Sequence, residues 1–274
     1  MSAAFLEDMA EASRARLHAS RAALPEGALE RQARASPAPP PLRLAPSGFD
    51  LIAELKLRSP AAGQLRAAGA DLAARVYAYA RAGAAAVSVL TEPERFDGSL
   101  AHLAEAARAL APLAVPAMRK DFLVDPYQVL EARLNGAGGV LVILRMLSRA
   151  DTVALIECAR SLGMFVLLEA FDERDIELAH ELVASHARTT RLLAGVNCRD
   201  LTTLAMVPQR LAELAPLLPD SVPRVAESGV VTAADARRVA LAGYQLALVG
   251  SALMQDEDPG ALAAALLAAG REAR

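Results

Sequence analysis

The sequence predicts a single (β/α)8 barrel, the TIM-barrel architecture, preceded by an N-terminal helical extension. Three observations carry this expectation. Apolar runs of strand length alternate with helix-periodic segments about eight times, at spacings of roughly 25–35 residues. The chain has 274 residues, a normal length for one such barrel. No G-x-G-x-x-G follows the first strand, where an open dinucleotide-binding sheet would carry it. Residues 1–46 read as the helical extension and its Pro-rich connector, and residues 47–274 as the catalytic barrel.

Residues 1 to about 35 have the pattern of an Arg-rich helix packed across the domain. Glu7, Asp8 and Glu11 argue against a targeting peptide. Ser36-Pro37-Ala38-Pro39-Pro40-Pro41 then ends any helix. The first strand covers 51–56, and a helix over 71–82 leads to a second strand at 86–90. A helix over 99–110 leads to the short apolar run 114–118, which delivers Arg119-Lys120-Asp121-Phe122. Asp125 can cap the next helix, with Pro126 at its first position. That helix, 127–135, leads to a strand at 139–144, and 150–162 leads to 164–169. Helical 176–185 precedes the strand 192–197, and 209–214 precedes 222–227. The last pair is helix 233–241 and strand 245–250.

The carboxyl ends of these strands carry the chemistry. Glu54 and Lys56 share a face of the first strand because side chains alternate. Lys120 ends the third, Glu169 the fifth and Asn197 the sixth, with Arg199 just beyond, and Glu227-Ser228 end the seventh. In a barrel these positions converge on one mouth. Buried charges cluster there only when paired or functional, either as an ion-pair network closing the barrel or as a site. Lysines beside carboxylates suit acid–base work on a small polar substrate. Gly229 after strand seven and Gly250-Ser251 after strand eight stand where barrels hold a phosphate, and Ser59-Pro60 with Gly63 can close the other side. A phosphorylated small molecule is the expected substrate.

Other classes are excluded more simply. Net charge is −3 without a basic run, so nucleic acid is not expected as a partner. The apolar fraction of 54% supplies a large core, yet no stretch approaches a membrane span. Cys158 and Cys198 form no disulfide framework, and a cytoplasmic location is expected. His18, His102, His180 and His186 show no metal-ligand spacing and read as surface residues. Cys198 lacks a His partner for a catalytic thiol and reads as a small, partly buried residue. No metal and no cofactor are expected.

Several strings together resemble the indole-3-glycerol-phosphate synthase family of tryptophan biosynthesis. They are Ile52-Ala53-Glu54-Leu55-Lys56 with Ser59-Pro60, and Ser88-Val89-Leu90-Thr91-Glu92 with Phe96 and Gly98-Ser99. Arg119-Lys120-Asp121-Phe122, Asn197 with Arg199-Asp200-Leu201, Glu227-Ser228-Gly229 and Gly250-Ser251-Ala252 complete the set. The resemblance spans essentially the whole chain. It implies a carbon–carbon lyase acting on 1-(2-carboxyphenylamino)-1-deoxyribulose 5-phosphate by ring closure, decarboxylation and dehydration. It implies Lys120 as general acid, Glu169 as general base, and Lys56 as an acid or anion contact. Glu54 and Asn197 would orient these groups. Arg199, Glu227, Ser228 and Phe122 would line the substrate pocket. Ser59, Gly229, Gly250 and Ser251 would hold the phosphate. Phe122, Leu144 and Leu168 are candidates for an apolar wall against the aryl ring. Other enzymes of the tryptophan pathway are the macromolecular partners that the resemblance suggests.

The sequence also departs from the family pattern. Glu169-Ala170-Phe171 stands where Glu-Val-His is usual, and Asn197-Cys198-Arg199 where Asn-Asn-Arg is usual. Pro60-Ala61-Ala62-Gly63 lacks a common Ser and Lys. These leave open a divergent paralogue acting on a modified anthranilate-derived substrate. The isomerase one step earlier would want a Cys–Asp pair on early strands, which is missing. A non-catalytic phosphate-binding barrel would be expected to lose Lys120, Glu169 or Glu54, and all three are present.

Overall fold

Eight parallel strands close on themselves: β1 (Asp50–Leu55), β2 (Ala86–Leu90), β3 (Ala117–Lys120), β4 (Ala137–Ile143), β5 (Phe165–Ala170), β6 (Leu192–Asn197), β7 (Arg224–Glu227) and β8 (Leu246–Val249). Each pairs with its sequence neighbours, and β1 pairs with β8 to complete the barrel. The computed structural model describes residues 4–46, 48–60, 63–65, 71–200 and 203–274. Part of the loop after β1 (Ala61, Ala62) and Leu201 thus lie outside the described residues. A two-stranded hairpin, Arg58–Ser59 with Gly63–Gln64, follows β1.

The helices are α1 (Ala4–Ala23), α2 (Glu26–Ala35), α3 (Leu72–Arg81), α4 (Pro93–Phe96), α5 (Leu100–Leu110), α6 (Pro126–Leu134), α7 (Arg149–Ser161), α8 (Glu173–His186), α9 (Gln209–Leu214), α10 (Ala233–Leu241), α11 (Ser251–Gln255) and α12 (Pro259–Glu272). Side-chain oxygens set many of their starts. Asp71 accepts from the Ala74 N–H at 2.8 Å, and Asp125 accepts from Tyr127 N–H at 2.8 Å with Pro126 at the first helical position. Each such cap stabilises its helix by about 1 kcal/mol.

Strand alternation sorts the apolar residues into two cores. Ile52, Met118, Leu141, Leu167, Leu193, Val225 and Leu246 fill the barrel interior. Their neighbours of opposite parity, such as Leu51, Val87, Val140, Leu168 and Val196, pack outward against the helices. This is the period-two rule acting on strands buried on both faces.

The N-terminal segment is two helices rather than one. Pro25 stands between them with ψ 142°, an extended geometry that cannot continue a helix. Helix α1 docks on the segment around α6: Gln128 donates to Ser13 Oγ at 2.8 Å, and the Tyr127 hydroxyl donates to the carbonyls of Ser20 and Leu24. Arg16 pairs with Asp121 at 2.9 Å and with Glu92 at 3.5 Å, so one side chain ties α1 to the loops after both β2 and β3. Burial alone would raise the Asp121 carboxyl, but Arg119 and Arg16, with the Thr91 hydroxyl, hold it below the usual aspartate range. Among the described residues no helix is long and apolar enough to cross a membrane.

Candidate active site

The carboxyl ends of the strands open onto one cavity of about 390 Å³. Glu54 and Lys56 reach it from β1 and the residue beyond, Lys120 from β3, Glu169 from β5, Asn197 from β6 and Glu227 from β7. Each inherits an inward direction from the alternation that points Ile52, Met118, Leu167 and Val225 into the barrel below. The expected catalytic residues, the pocket residues Arg199, Glu227, Ser228 and Phe122, and the phosphate contacts Ser59, Gly229, Gly250 and Ser251 line this same cavity, whereas Gly63 does not.

Two lysines and three carboxyls meet there. Lys56 Nζ lies 2.5 Å from Glu54 Oε1, and Lys120 Nζ lies 3.8 Å from Glu169 Oε1. Asn197 donates its amide to that same Glu169 oxygen at 2.5 Å, while its own oxygen accepts from Arg199 N–H at 2.9 Å. Glu169 is therefore fixed through one oxygen, and its other oxygen is buried without a hydrogen bond. Burial pulls the Lys120 ammonium towards deprotonation, but attraction to Glu169, Glu227 and Glu54 outweighs it and raises the pKa. Lys120 is a cation at neutral pH, and its side chain keeps 17% of its surface open to the cavity. Glu227 is different. It is 1% exposed, and burial together with Glu169 pushes its carboxyl well above the glutamate range, only partly offset by Lys120.

Two glycines make this packing possible. A Cβ at Gly250 would collide with the Glu54 carboxyl and come within 2.9 Å of Lys56 Nζ. Gly250 thus seats the Glu54–Lys56 pair as well as lining the anticipated phosphate side. At the seventh loop, Ser228 (φ 66°) and Gly229 (φ 75°) are both left-handed. For Ser228 that costs roughly 1 kcal/mol, the kind of strain that functional sites retain. Ser59, Gly229, Gly250 and Ser251 all line the cavity.

The apolar wall differs from the one expected. Phe122 lines the cavity, but Leu144 and Leu168 belong to the outer core and do not reach it. Since Glu169 points inward, Leu168 must point outward, so parity alone excludes it. The wall is built instead by Ile143 and Leu248 from the strands and by an aromatic cluster. Phe122 meets Phe5 edge to face at 6.0 Å and Phe96 at 6.3 Å. Phe5 comes from α1, and nothing in a helical leader distinguishes one such aromatic from a packing residue. Leu204, Met206 and Val231 complete the rim; Leu204 adopts φ 58°, and its carbonyl accepts from Arg199 Nη1 at 2.8 Å.

Cys198 is fully buried rather than partly so, and burial pushes its thiol up to about 11, which keeps it protonated. The four histidines all lie outside the cavity; His186 bonds Glu157 at 3.0 Å and His180 the Leu217 carbonyl at 2.8 Å. Among the described residues no three His, Cys, Asp or Glu side chains are grouped to hold a metal ion.

Comparison with known proteins converges on one family. The family profile described as indole-3-glycerol phosphate synthase matches residues 6–266. An indole-3-glycerol phosphate synthase of Parafrankia sp. is 46% identical over 220 residues, covering 80% of this chain and 78% of that protein. One from Mycolicibacterium vanbaalenii is 41% identical over 271 residues, 98% of this chain and 96% of that protein. Among solved structures, the 3-hexulose-6-phosphate synthase of Salmonella typhimurium superimposes with a TM-score of 0.61 at 13% identity, covering 82% of this chain and 100% of that one. Thiamine phosphate pyrophosphorylase of Pyrococcus furiosus gives 0.58 at 16%, covering 83% and 98%. These distant likenesses concern the barrel alone. The two sequence relationships span most of both partners, and the chain belongs to the indole-3-glycerol phosphate synthase family.

Proposed function

We propose that this protein closes the indole ring of indole-3-glycerol phosphate from 1-(2-carboxyphenylamino)-1-deoxyribulose 5-phosphate, with loss of CO₂ and water, as a step in tryptophan biosynthesis. The observation that carries the reading is the Lys120–Glu169 pair. A half-buried ammonium and a carboxylate fixed by Asn197 lie 3.8 Å apart at the mouth of a cavity with one aromatic wall. An acid and a base so held serve a reaction in which a carbonyl oxygen gains a proton and a ring carbon later loses one.

The roles are those the family resemblance implies, and the positions of the side chains in the cavity support them. Lys120 donates to the ketone oxygen as the ring carbon bearing the carboxylate attacks the carbonyl carbon. Departure of CO₂ restores the aromatic ring, so the carboxylate's electrons need no external acceptor. Lys56, set by Glu54 at 2.5 Å, is the second cation, available to the substrate carboxylate or to the departing hydroxyl. Glu169 takes the proton from the carbon next to the one that loses hydroxyl. The aryl ring packs against Phe122, Phe96 and Phe5, while Ser59, Gly229, Gly250 and Ser251 receive the phosphate, and Arg199 and Ser228 line the pocket between them. The unpaired thiols of Cys158 and Cys198 fit a reducing cytoplasm. Enzymes supplying the substrate or using the product are the macromolecular partners in view.

The chain has no Trp, so indole fluorescence is read against a low background. Growth of that fluorescence on adding the anilino substrate is the expected result. A protein that binds inorganic phosphate in the mouth but produces no indole fluorescence would return the barrel to the binding-subunit reading.

A further inference from the structure

We propose that Glu227 is a catalytic residue that works as the neutral acid, donating a hydrogen bond to an oxygen of the substrate's sugar-derived chain. The proposal rests on reading the mouth as the reaction site. Three geometric facts carry it. First, the charges pair off without Glu227: Lys56 lies on Glu54 and Lys120 on Glu169, while Arg199 at the rim turns to the Leu204 carbonyl. Second, both Glu227 carboxyl oxygens are buried and make no hydrogen bond, although the residue is part of the cavity wall. A charged carboxylate in that position would lose its solvation without gaining a partner, and a protonated one loses far less. Third, the seat is specific. A Cβ at Gly195 would collide with Glu227 Oε1, so the carboxyl lies directly on the β6 backbone, beside Leu167 Cδ1.

Burial and the balance of its charged neighbours act in the same direction. Glu169 from β5 and Glu54 from β1 oppose ionisation, and Lys120 from β3 is the one cation that favours it. The Cys198 thiol and the Tyr244 phenol, on the sides of β6 and β8, are both held neutral by burial. Asn197, paired with Glu227 across the sheet, gives its amide to Glu169 rather than to Glu227. With Glu227 neutral, the two lysines face two carboxylates, Glu54 and Glu169. The proton on Glu227 is then carried by a carboxyl that makes no hydrogen bond within the protein. A donor held this way is spent on substrate rather than on the protein.

Two measurements test this. The infrared spectrum of the full-length protein at neutral pH should contain a carboxylic-acid carbonyl band that Glu227→Gln removes. This reads the proton directly and does not depend on turnover, so it separates failure of the present inference from failure of the synthase reading. In the fluorescence assay, Glu227→Gln, which keeps a donor of the same shape, should lose less than about tenfold in kcat. Glu227→Ala should lose about 10²-fold, the usual effect of removing one oriented donor. A spectrum in which wild type and Glu227→Gln coincide overturns the neutral acid. Equal losses in the two variants overturn the hydrogen-bond role, because a residue acting through its charge is lost equally in both.

Discussion

Lys120→Met separates catalysis from scaffolding at a single atom. Methionine keeps an unbranched stem of similar volume and removes the ammonium. If Lys120 protonates the carbonyl as the ring forms, its contribution is made in the transition state and the loss falls on kcat. A positioned general acid gives roughly 10²–10⁴-fold, equivalent to about 2.7–5.4 kcal/mol of transition-state stabilisation. Stability should respond far less. Lys120 lies 3.8 Å from Glu169 rather than in close contact, and its side chain is partly open to solvent. Removing it loses attraction to Glu169 and Glu54 but also removes the burial that opposes its charge. These terms offset one another, and Tm should move by no more than about 4 °C, near 1 kcal/mol for a chain of this size. Steady-state turnover and a melting curve on the same preparation check both numbers. A variant that melts ten or more degrees lower yet keeps kcat within about tenfold would make Lys120 a structural ion-pair partner and refute the reasoning.

Three further outcomes follow from the same geometry. Inorganic phosphate should compete with substrate, and Gly229→Ala should raise KM by roughly tenfold, since the new Cβ would lie 2.9 Å from Cys198 Sγ and 3.1 Å from Met206 Cε at φ 75°; an unchanged KM and no competition would make the loop a simple turn. Gly195→Ala should push the Glu227 carboxyl off its seat and lower kcat more than it lowers substrate affinity, which kcat and KM read separately. Asp121→Asn should cost about 3 kcal/mol at neutral pH by leaving Arg119 and Arg16 without their shared anion. Because the folded Asp121 pKa is depressed, its contribution is present above the ordinary aspartate pKa and disappears as pH falls through the folded value. Denaturant titrations should therefore show wild type and variant converging in acid; a gap that widens in acid would contradict the assignment.

Much of this was legible in the sequence, for physical reasons. Strand ends such as Glu54, Lys120, Glu169, Asn197 and Glu227 announce themselves because ionisable groups closing apolar runs must converge on the rim of a closed sheet. What stayed hidden depends on contacts between distant segments or on details finer than periodicity. The Arg16–Asp121 pair joins residues 105 apart in sequence, and Phe5 reaches the cavity only because α1 folds back over the mouth. Leu144 and Leu168 were legible in principle, since their parity opposes that of Ile143 and Glu169. The break at Pro25 and the final helix α12 each had a local signal, a Pro inside a helical pattern and the Asp258-Pro259 start. The protonation of Glu227 had none, because it arises from burial and from which carboxyls the two lysines pair with.

The most direct test of the central claim follows CO₂ and indole fluorescence in one reaction with 1-(2-carboxyphenylamino)-1-deoxyribulose 5-phosphate. Ring closure at the carbon bearing the carboxylate ties the two products together, so the account predicts one CO₂ released for each indole-3-glycerol phosphate formed, with both lost together in Lys120→Met. Indole fluorescence without matching CO₂, or CO₂ release without indole, would contradict it.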